Sequence, residues 1–170
     1  MGKVVLVTGG SRGIGAAVCR LAARDGWDVA IAYRQRADAA ARVAEDVRTL
    51  GRRVIALACD ITDPRSVCGL FERTVAELGY VEALVSNAGV IHRAAPLVNI
   101  PPEEIRRIVE TDLLAHIVCN REAVRRMARS RGGRGGVIVN ISSMAPELKG
   151  AGGFVPYAAA KAGIDVLTEG

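Results

Sequence analysis

The feature that most restricts the fold of this chain lies at its start, where an apolar run leads directly into a cluster of glycines. Residues 4–7 are continuously apolar, which is typical of a parallel strand buried on both faces. Gly9, Gly13 and Gly15 follow, and a helical pattern begins near Ile14. Glycines let the backbone turn tightly beside a diphosphate, and a helix N-terminus directs free N–H groups toward it. The segment therefore predicts a phosphate-binding turn between a strand and a helix.

The rest of the chain alternates apolar runs with helical patterns, which predicts a doubly wound α/β fold. The predicted strands cover about 3–8, 28–33, 53–58, 83–86 and 136–141. The predicted helices cover about 13–25, 37–50, 64–79 and 101–129, with a last helix from about residue 157 to the end. We expect one domain over residues 1–170, a three-layer α/β/α Rossmann-like sandwich with ligands at the carboxyl ends of its parallel strands.

The cysteines and the apolar runs indicate the kind of compartment. The four cysteines show neither C-x-x-C spacing nor a histidine at metal-ligand spacing, so we expect free cysteines and no metal. No apolar run approaches the roughly 20 residues that span a bilayer, and we expect no membrane partner. Reduced cysteines and a strand-like N-terminus favour a cytoplasmic location.

The net charge of +5 raises the question of nucleic acid binding, because residues 131–136 read Arg-Gly-Gly-Arg-Gly-Gly. That run resembles RNA-binding segments, but it holds no aromatic residue on which a base would stack. Cations followed by glycines are also typical of a helix C-terminus. We therefore expect no nucleic acid partner, and an arginine-rich nucleic acid binder stays as a minor alternative.

A second motif lies far downstream, where Ser142 and Ser143 precede the run from Tyr157 to Lys161. Tyr157 and Lys161 are four residues apart and share a helix face. A free phenol has a pKa near 10, and a nearby ammonium favours its phenolate form. Tyr157 is therefore a candidate acid for reducing a carbonyl and a candidate base for oxidising an alcohol. Ser143 would hydrogen-bond the carbonyl oxygen, although Ser142 is not excluded.

These motifs occur in a fixed order along the chain. The order is Thr8-Gly9-x-x-x-Gly13-x-Gly15, Asp60 after the third strand, Ser86-Asn87-Ala88-Gly89, and Ser143 with Tyr157 and Lys161. The ordered set resembles the short-chain dehydrogenase/reductase family over the whole chain. The resemblance implies a nicotinamide cofactor bound by Gly9, Ser11, Arg12, Gly13, Ile14, Gly15, Arg34, Asp60, Ile61, Asn87, Ala88, Gly89, Tyr157 and Lys161.

The chain departs from the family pattern at two positions. Ser86 replaces the first Asn of the family's Asn-Asn-Ala-Gly motif, and Asp112 lies where the family usually has an Asn. The resemblance assigns Asp112 to a catalytic set with Ser143, Tyr157 and Lys161. An aspartate there either substitutes without consequence or, if ionised, competes for the Lys161 ammonium.

The residues after the second strand indicate which cofactor is preferred. An NAD site usually places Asp or Glu there to bind the ribose 2′-hydroxyl, but this chain has Tyr33-Arg34-Gln35-Arg36. Arg34 together with Arg12 matches a 2′-phosphate, because a guanidinium fits phosphate geometry. We expect NADP(H) to be preferred, with NAD(H) possible.

The length bounds how much of the family fold is present. A βαβ unit takes about 30 residues or more, so 170 residues hold five strands, whereas the two-halved fold has six. Members of the family continue with a Pro-Gly motif and a substrate lid, so we expect a C-terminally truncated chain, either a fragment or a naturally shortened relative. The predicted function is an NADP(H)-dependent oxidoreductase of small carbonyl or alcohol substrates. The alternative is a catalytically inactive nucleotide-binding module.

Two histidines and an apolar helix suggest further contacts. His92 follows Asn87-Ala88-Gly89 and is a candidate substrate contact, whereas His116 is expected in the core or at an interface. The helices matching 101–129 and 157–170 pair between subunits in the family, so we expect a homo-oligomer, a dimer or a tetramer. The apolar residues of the longer helix are Ile105, Ile108, Val109, Leu113, Ile117, Val118 and Val124.

Overall fold

The computed structural model describes residues 2–170, which form a parallel sheet flanked by helices on both faces. The strands are β1 (Val4–Thr8), β2 (Asp28–Tyr33), β3 (Val54–Ala58), β4 (Val81–Ser86) and β5 (Val137–Asn140). The helices are α1 (Gly13–Arg24), α2 (Ala37–Thr49), α3 (Pro64–Leu78), α4 (Pro102–Val109), α5 (Ala115–Met127) and α6 (Val155–Glu169). The doubly wound α/β prediction is confirmed.

The strand order is β3-β2-β1-β4-β5, and every neighbouring pair is parallel. Leu6 of β1 lies opposite Ala30 of β2 on one side and opposite Leu84 of β4 on the other. Strands β2 and β3 lie on one side of β1, and β4 and β5 lie on its other side. The direction in which strands are added to the sheet therefore reverses between β1 and β4. The carboxyl ends of these two strands therefore open the crevice in which such folds bind ligands.

The core consists of two apolar layers, one on each face of the sheet. Val5 and Val7 of β1 pack in a cluster with residues of α1 and α2, whereas Val4 and Leu6 pack with residues of α3 and α5. This alternation follows from the period of two in a strand. Both faces of β1 are apolar because both are covered, and the three-layer prediction is confirmed.

The helix predicted over about 101–129 is present from residue 102 to residue 127, but it is not a regular α-helix throughout. It divides into α4, a π-helical turn at Glu110–Leu114, and α5, and a short 3₁₀ turn follows at Arg129–Arg131. A π-helical turn inserts extra backbone into a helix that otherwise keeps its direction, so helical periodicity does not reveal it. Such turns are frequent at functional sites, and this one carries Asp112.

Two other elements begin two residues before their predicted positions. Strand β4 begins at Val81, where the polar Glu82 interrupts the apolar run but accepts a hydrogen bond from the Val4 backbone N–H (2.7 Å). Helix α6 begins at Val155, two residues before Tyr157. Among residues 2–170, no helix has the length and apolar character needed to cross a membrane.

The four cysteines are free thiols. Cys19, Cys59 and Cys119 are buried. Burial raises the pKa of Cys19 and of Cys119 to about 12, which keeps both thiols protonated and unreactive. They behave as the small core hydrophobes that the helical pattern predicted.

Candidate nucleotide-binding and catalytic site

A cleft of about 480 Å³ opens at the carboxyl ends of β1, β2 and β4. It contains most of the residues predicted to bind a cofactor. Those lining it are Gly9, Ser11, Arg12, Gly13, Ile14, Arg34, Asp60, Ile61, Asn87, Ala88 and Gly89. Gly15, Tyr157 and Lys161 do not line the cleft.

The glycine turn has the backbone that a phosphate cradle requires. Gly9 and Gly13 have φ angles of +65° and +54°, in the left-handed region that favours glycine. A Cβ on Gly15 would lie 2.5 Å from the Gly9 carbonyl oxygen, so the turn closes only with glycine there. Helix α1 begins without a side-chain cap, so its first N–H groups stay available to an anion.

Asn87 fastens the end of β4 to this turn. Its side-chain amide donates to the carbonyl oxygens of Thr8 (2.8 Å) and Gly9 (3.3 Å). The Thr8 hydroxyl accepts from the backbone N–H groups of Asn87 (2.9 Å) and Ala88 (3.1 Å). The two strand ends beside the crevice are therefore held as one rigid unit.

Arg34 and Asp60, predicted as separate cofactor contacts, form an ion pair. The Arg34 Nε lies 3.1 Å from Asp60 Oδ2, while Asp60 Oδ1 accepts from the Thr62 backbone N–H (3.0 Å) and hydroxyl (2.7 Å). Partial burial raises the pKa of Asp60, but the Thr62 hydrogen bonds and the Arg34 charge outweigh burial and leave it lowered. The carboxylate therefore stays ionised and orients the exposed Arg34 at the mouth of the cleft.

Tyr157 and Lys161 come together on α6 as their spacing predicted. The Lys161 ammonium lies 5.9 Å from the centroid of the Tyr157 ring and donates to the Ile141 carbonyl oxygen (2.8 Å). The lysine is buried, and burial lowers its pKa, while the charges of Asp112 and Asp165 oppose that shift. The cation is thus fixed beside the phenol at the end of β5.

The two candidate serines make different hydrogen bonds. The Ser142 hydroxyl donates to the Lys161 carbonyl oxygen (3.3 Å), so its proton is engaged. The Ser143 hydroxyl is exposed and accepts from the Ala145 backbone N–H (3.1 Å), so its own proton is free to donate. This difference favours Ser143 as the donor to a substrate oxygen.

Asp112 is fully buried in the π-helical turn. Its Oδ1 accepts from the Val90 backbone N–H (2.8 Å), and a Cβ on Gly89 would lie 2.7 Å from the same oxygen. Burial raises the pKa of Asp112 to about 6, against the opposing effects of the Val90 hydrogen bond and the charges of Lys161 and Arg107. The Lys161 ammonium donates to the Ile141 carbonyl oxygen, and the Asp112 charge opposes the lowering of its pKa by burial.

The two histidines occupy different surroundings. His116 is fully buried, with Nε2 2.7 Å from the Ala88 carbonyl oxygen and Nδ1 3.0 Å from the Ser86 hydroxyl. Burial lowers its pKa to about 4, so the ring is neutral. His92 is also buried, and its ring packs against Phe154 with centroids 5.5 Å apart.

Several cleft residues were not predicted from the sequence. Arg107 and Thr111 reach the cleft from α4 and the π-helical turn, and Val90 and Arg36 complete its walls. Val90 directly follows Asn87-Ala88-Gly89, and that position was a usable signal. Arg107 and Thr111 had no local signal, because only helix packing brings them there. Within the described part of the chain, no group of three or more His, Cys, Asp or Glu side chains is arranged to hold a metal ion.

A parallel sheet with an uncapped glycine turn at its reversal point is typical of α/β nucleotide-binding proteins, and a buried lysine lies beside a tyrosine at the same edge. A sequence profile of the short chain dehydrogenase family matches residues 3–170, and the chain belongs to this family.

The chain is similar to proteins of this family over nearly its whole length. It is 41% identical over 167 residues to the uncharacterized oxidoreductase YgfF of Escherichia coli, covering 98% of this chain and 68% of that protein. It matches a short chain dehydrogenase from Burkholderia cenocepacia in complex with NADP (TM-score 0.88, 36% identity, 98% of this chain, 66% of that one). It also matches NAD⁺-bound xylitol dehydrogenase (TM-score 0.91, 29% identity, 98% and 62%). The chain thus spans about two thirds of the length of these proteins.

Proposed function

We propose that this chain serves an NADP(H)-dependent oxidoreductase that transfers hydride between the nicotinamide and the carbonyl or alcohol carbon of a small molecule. The observation that carries the proposal is the buried Lys161 beside Tyr157, at the same sheet edge as the glycine turn. A buried cation next to a phenol is costly for stability, and it has a clear use in proton transfer.

The residues present fit a dinucleotide. The glycine turn and the free N–H groups of α1 match a diphosphate, and a cleft of about 480 Å³ is in the usual range for cofactor sites. Asp60 and Ile61 would border the adenine, and Lys161 would bind the nicotinamide ribose. When bound, the cofactor supplies or accepts the hydride.

The preference for NADP(H) rests on arginines. Arg12 and Arg34 both line the cleft, and no acidic residue stands at positions 33–36 to bind a ribose 2′-hydroxyl. Asp60 already holds Arg34 by its Nε, so its terminal nitrogens remain to bind a phosphate. Structures similar to this chain contain NADP in one case and NAD⁺ in another, so the preference depends on this chain's own residues.

The proton chemistry follows from three side chains. In the reducing direction the Tyr157 hydroxyl would give its proton to the substrate oxygen as the carbon receives hydride, and in the oxidising direction the phenolate would take it back. The Lys161 ammonium stabilises the phenolate. The free proton of Ser143 would donate to the same oxygen and stabilise its developing charge.

Calorimetry with NADPH and NADH tests the cofactor preference. We expect tighter binding of NADPH, and a loss of about tenfold or more for NADPH but not for NADH in Arg34→Ala and in Arg12→Ala. Arg24→Ala, an exposed arginine outside the cleft, is the matched control. Equal affinity for the two cofactors, or unchanged NADPH binding in both cleft variants, would refute the preference.

Turnover separates the enzyme from the inactive alternative. NADPH oxidation should be followed with a panel of ketones and aldehydes, using Tyr157→Phe as the control. Turnover that Tyr157→Phe lowers by about 100-fold or more supports the enzyme. NADPH binding without any Tyr157-dependent turnover would instead support the inactive nucleotide-binding module.

We also propose that the chain forms a homo-oligomer through α5 and α6. Ile117 and Val124 on α5 and Leu114 just before it are 38–55% exposed, and Val166 on α6 is 71% exposed. Ile108, which the sequence placed in the same apolar set, is instead fully buried in the core. Exposed apolar side chains on helix surfaces are typical of an interface.

A further inference from the structure

Asp112 and His116 lie four residues apart on one helical stretch, and both side chains have no exposed surface. Both are directed at the short segment that follows β4, here called the cleft segment (Ala88–Val90). All three of its residues line the cleft in which a cofactor is proposed to bind.

The two side chains contact the cleft segment at two points. Asp112 Oδ1 accepts from the Val90 backbone N–H (2.8 Å). His116 Nε2 lies 2.7 Å from the Ala88 carbonyl oxygen, and because a carbonyl only accepts, Nε2 carries the proton and donates it. Nδ1 of the neutral ring then accepts from the Ser86 hydroxyl, the residue that replaces the family's Asn.

The two residues differ in how completely they are satisfied. Both ring nitrogens of His116 have partners. Asp112 Oδ2 is buried and has no hydrogen-bond partner among residues 2–170. An unpartnered oxygen on a buried carboxyl is an unusual arrangement, and its cost depends on whether the group carries a charge.

The charges that act on Asp112 come from two neighbouring helices. Arg107 acts from α4 and Lys161 from α6, and both favour the carboxylate. His116 on α5 is neutral, and Glu110 in the same turn is exposed. Burial favours the protonated carboxyl and so opposes the effect of the two cations. The protonated and ionised forms of Asp112 are therefore close in free energy near neutral pH.

We propose that Asp112 and His116 are positioning residues that clamp the cleft segment for cofactor binding, and that the Asp112 carboxyl makes the strength of this clamp depend on pH. The inference rests on the proposed cofactor site. A carboxylate accepts a stronger hydrogen bond from Val90 than a carboxylic acid does. The ionised form therefore holds the segment in place, and protonation loosens it. An Asn at this position, as the family usually has, would show no such change.

The test is NADPH affinity by calorimetry from about pH 5 to about pH 8, with the full 170-residue chain. The variants are Asp112→Asn, which keeps an acceptor for Val90 but cannot ionise, and His116→Leu, which removes the donor to Ala88. Asp165→Asn is the matched control, because Asp165 is exposed and also acts on Lys161. NADPH itself titrates equally in every protein, so the comparison isolates the replaced group.

Between pH above 6 and pH below 6, wild type should lose about fivefold more NADPH affinity than Asp112→Asn does. Asp165→Asn should show the same loss as wild type. His116→Leu should bind more weakly at every pH. As a check without a variant, the NMR titration midpoint of the Asp112 carboxyl should fall when NADPH saturates the protein, because linkage is reciprocal.

Parallel affinity curves for wild type and Asp112→Asn, or an Asp112 midpoint unmoved by NADPH, would overturn the clamp while leaving the cofactor site intact. Failure of all the proteins to bind NADPH would overturn the proposed function instead.

Discussion

The buried carboxyl of Asp112 should make the stability of this protein depend on pH in a way that Asp112→Asn removes. The pKa of Asp112 is about 6 in the folded protein, against about 3.9 for an unfolded chain. The raised value means that the folded protein binds this proton more tightly than the unfolded chain does. Stability from this group is therefore full below about pH 4 and is lost as the pH rises through about 6.

The size of the loss follows from the size of the shift. Two pKa units correspond to about 3 kcal/mol of unfolding free energy, present at pH 4 and absent at pH 8. The side chain is fully buried, so solvent screening does not reduce this estimate. Asp112→Asn has no ionisation to lose, although its NH₂ group would take the place of the buried Oδ2 that lacks a partner. The predicted quantity is therefore how the difference in unfolding free energy between wild type and Asp112→Asn changes with pH.

Chemical denaturation at about pH 4, 6 and 8 measures this difference. Relative to wild type, Asp112→Asn should gain about 3 kcal/mol between pH 4 and pH 8, with most of the gain between pH 4 and 6. Asp165→Asn, an exposed aspartate on α6, should show no such trend. A constant difference between wild type and Asp112→Asn at all three pH values would refute the reasoning, because Asp112 would then have an ordinary pKa.

Three further predictions test the glycine turn, a buried ion pair and the proposed subunit interface. Gly15→Ala should abolish NADPH binding in calorimetry and destabilise the fold by about 1–3 kcal/mol, because its Cβ would lie 2.5 Å from a carbonyl oxygen. Gly69→Ala, in open space within α3, should instead stabilise the fold by about 1 kcal/mol. Equal effects of Gly15→Ala and Gly69→Ala on stability and NADPH binding would contradict the role of Gly15 in the glycine turn. Asp28→Asn should cost roughly 3–5 kcal/mol at pH 7 in denaturation, because the buried carboxylate pairs with Arg53. Burial raises the Asp28 pKa, but its arginine partners outweigh burial and leave the pKa lowered. The cost of Asp28→Asn should therefore shrink as the pH falls through that lowered pKa, and a cost that stays constant with pH would contradict this prediction. Leu114→Glu should reduce the mass seen by light scattering, and an unchanged mass would place the interface elsewhere.

The sequence by itself determined the elements whose signals are local. The apolar run of β1 and the glycines after it specify a strand and a tight turn, because backbone conformation there depends on neighbouring residues alone. The alternation of strands and helices predicted the parallel sheet and hence the edge that carries the site. The spacing of Tyr157 and Lys161 placed both on one helix face.

Only the tertiary structure decided contacts between residues far apart in the chain. The bonds from Asp112 to Val90 and from His116 to Ala88 span 22 and 28 residues, and no periodicity reports them. The π-helical turn that carries Asp112 is equally invisible to a helical pattern, since packing rather than propensity stabilises it. The free energy of burial belongs to the folded environment and not to the residue, so the raised pKa of Asp112 could be known only after the chain had closed around it.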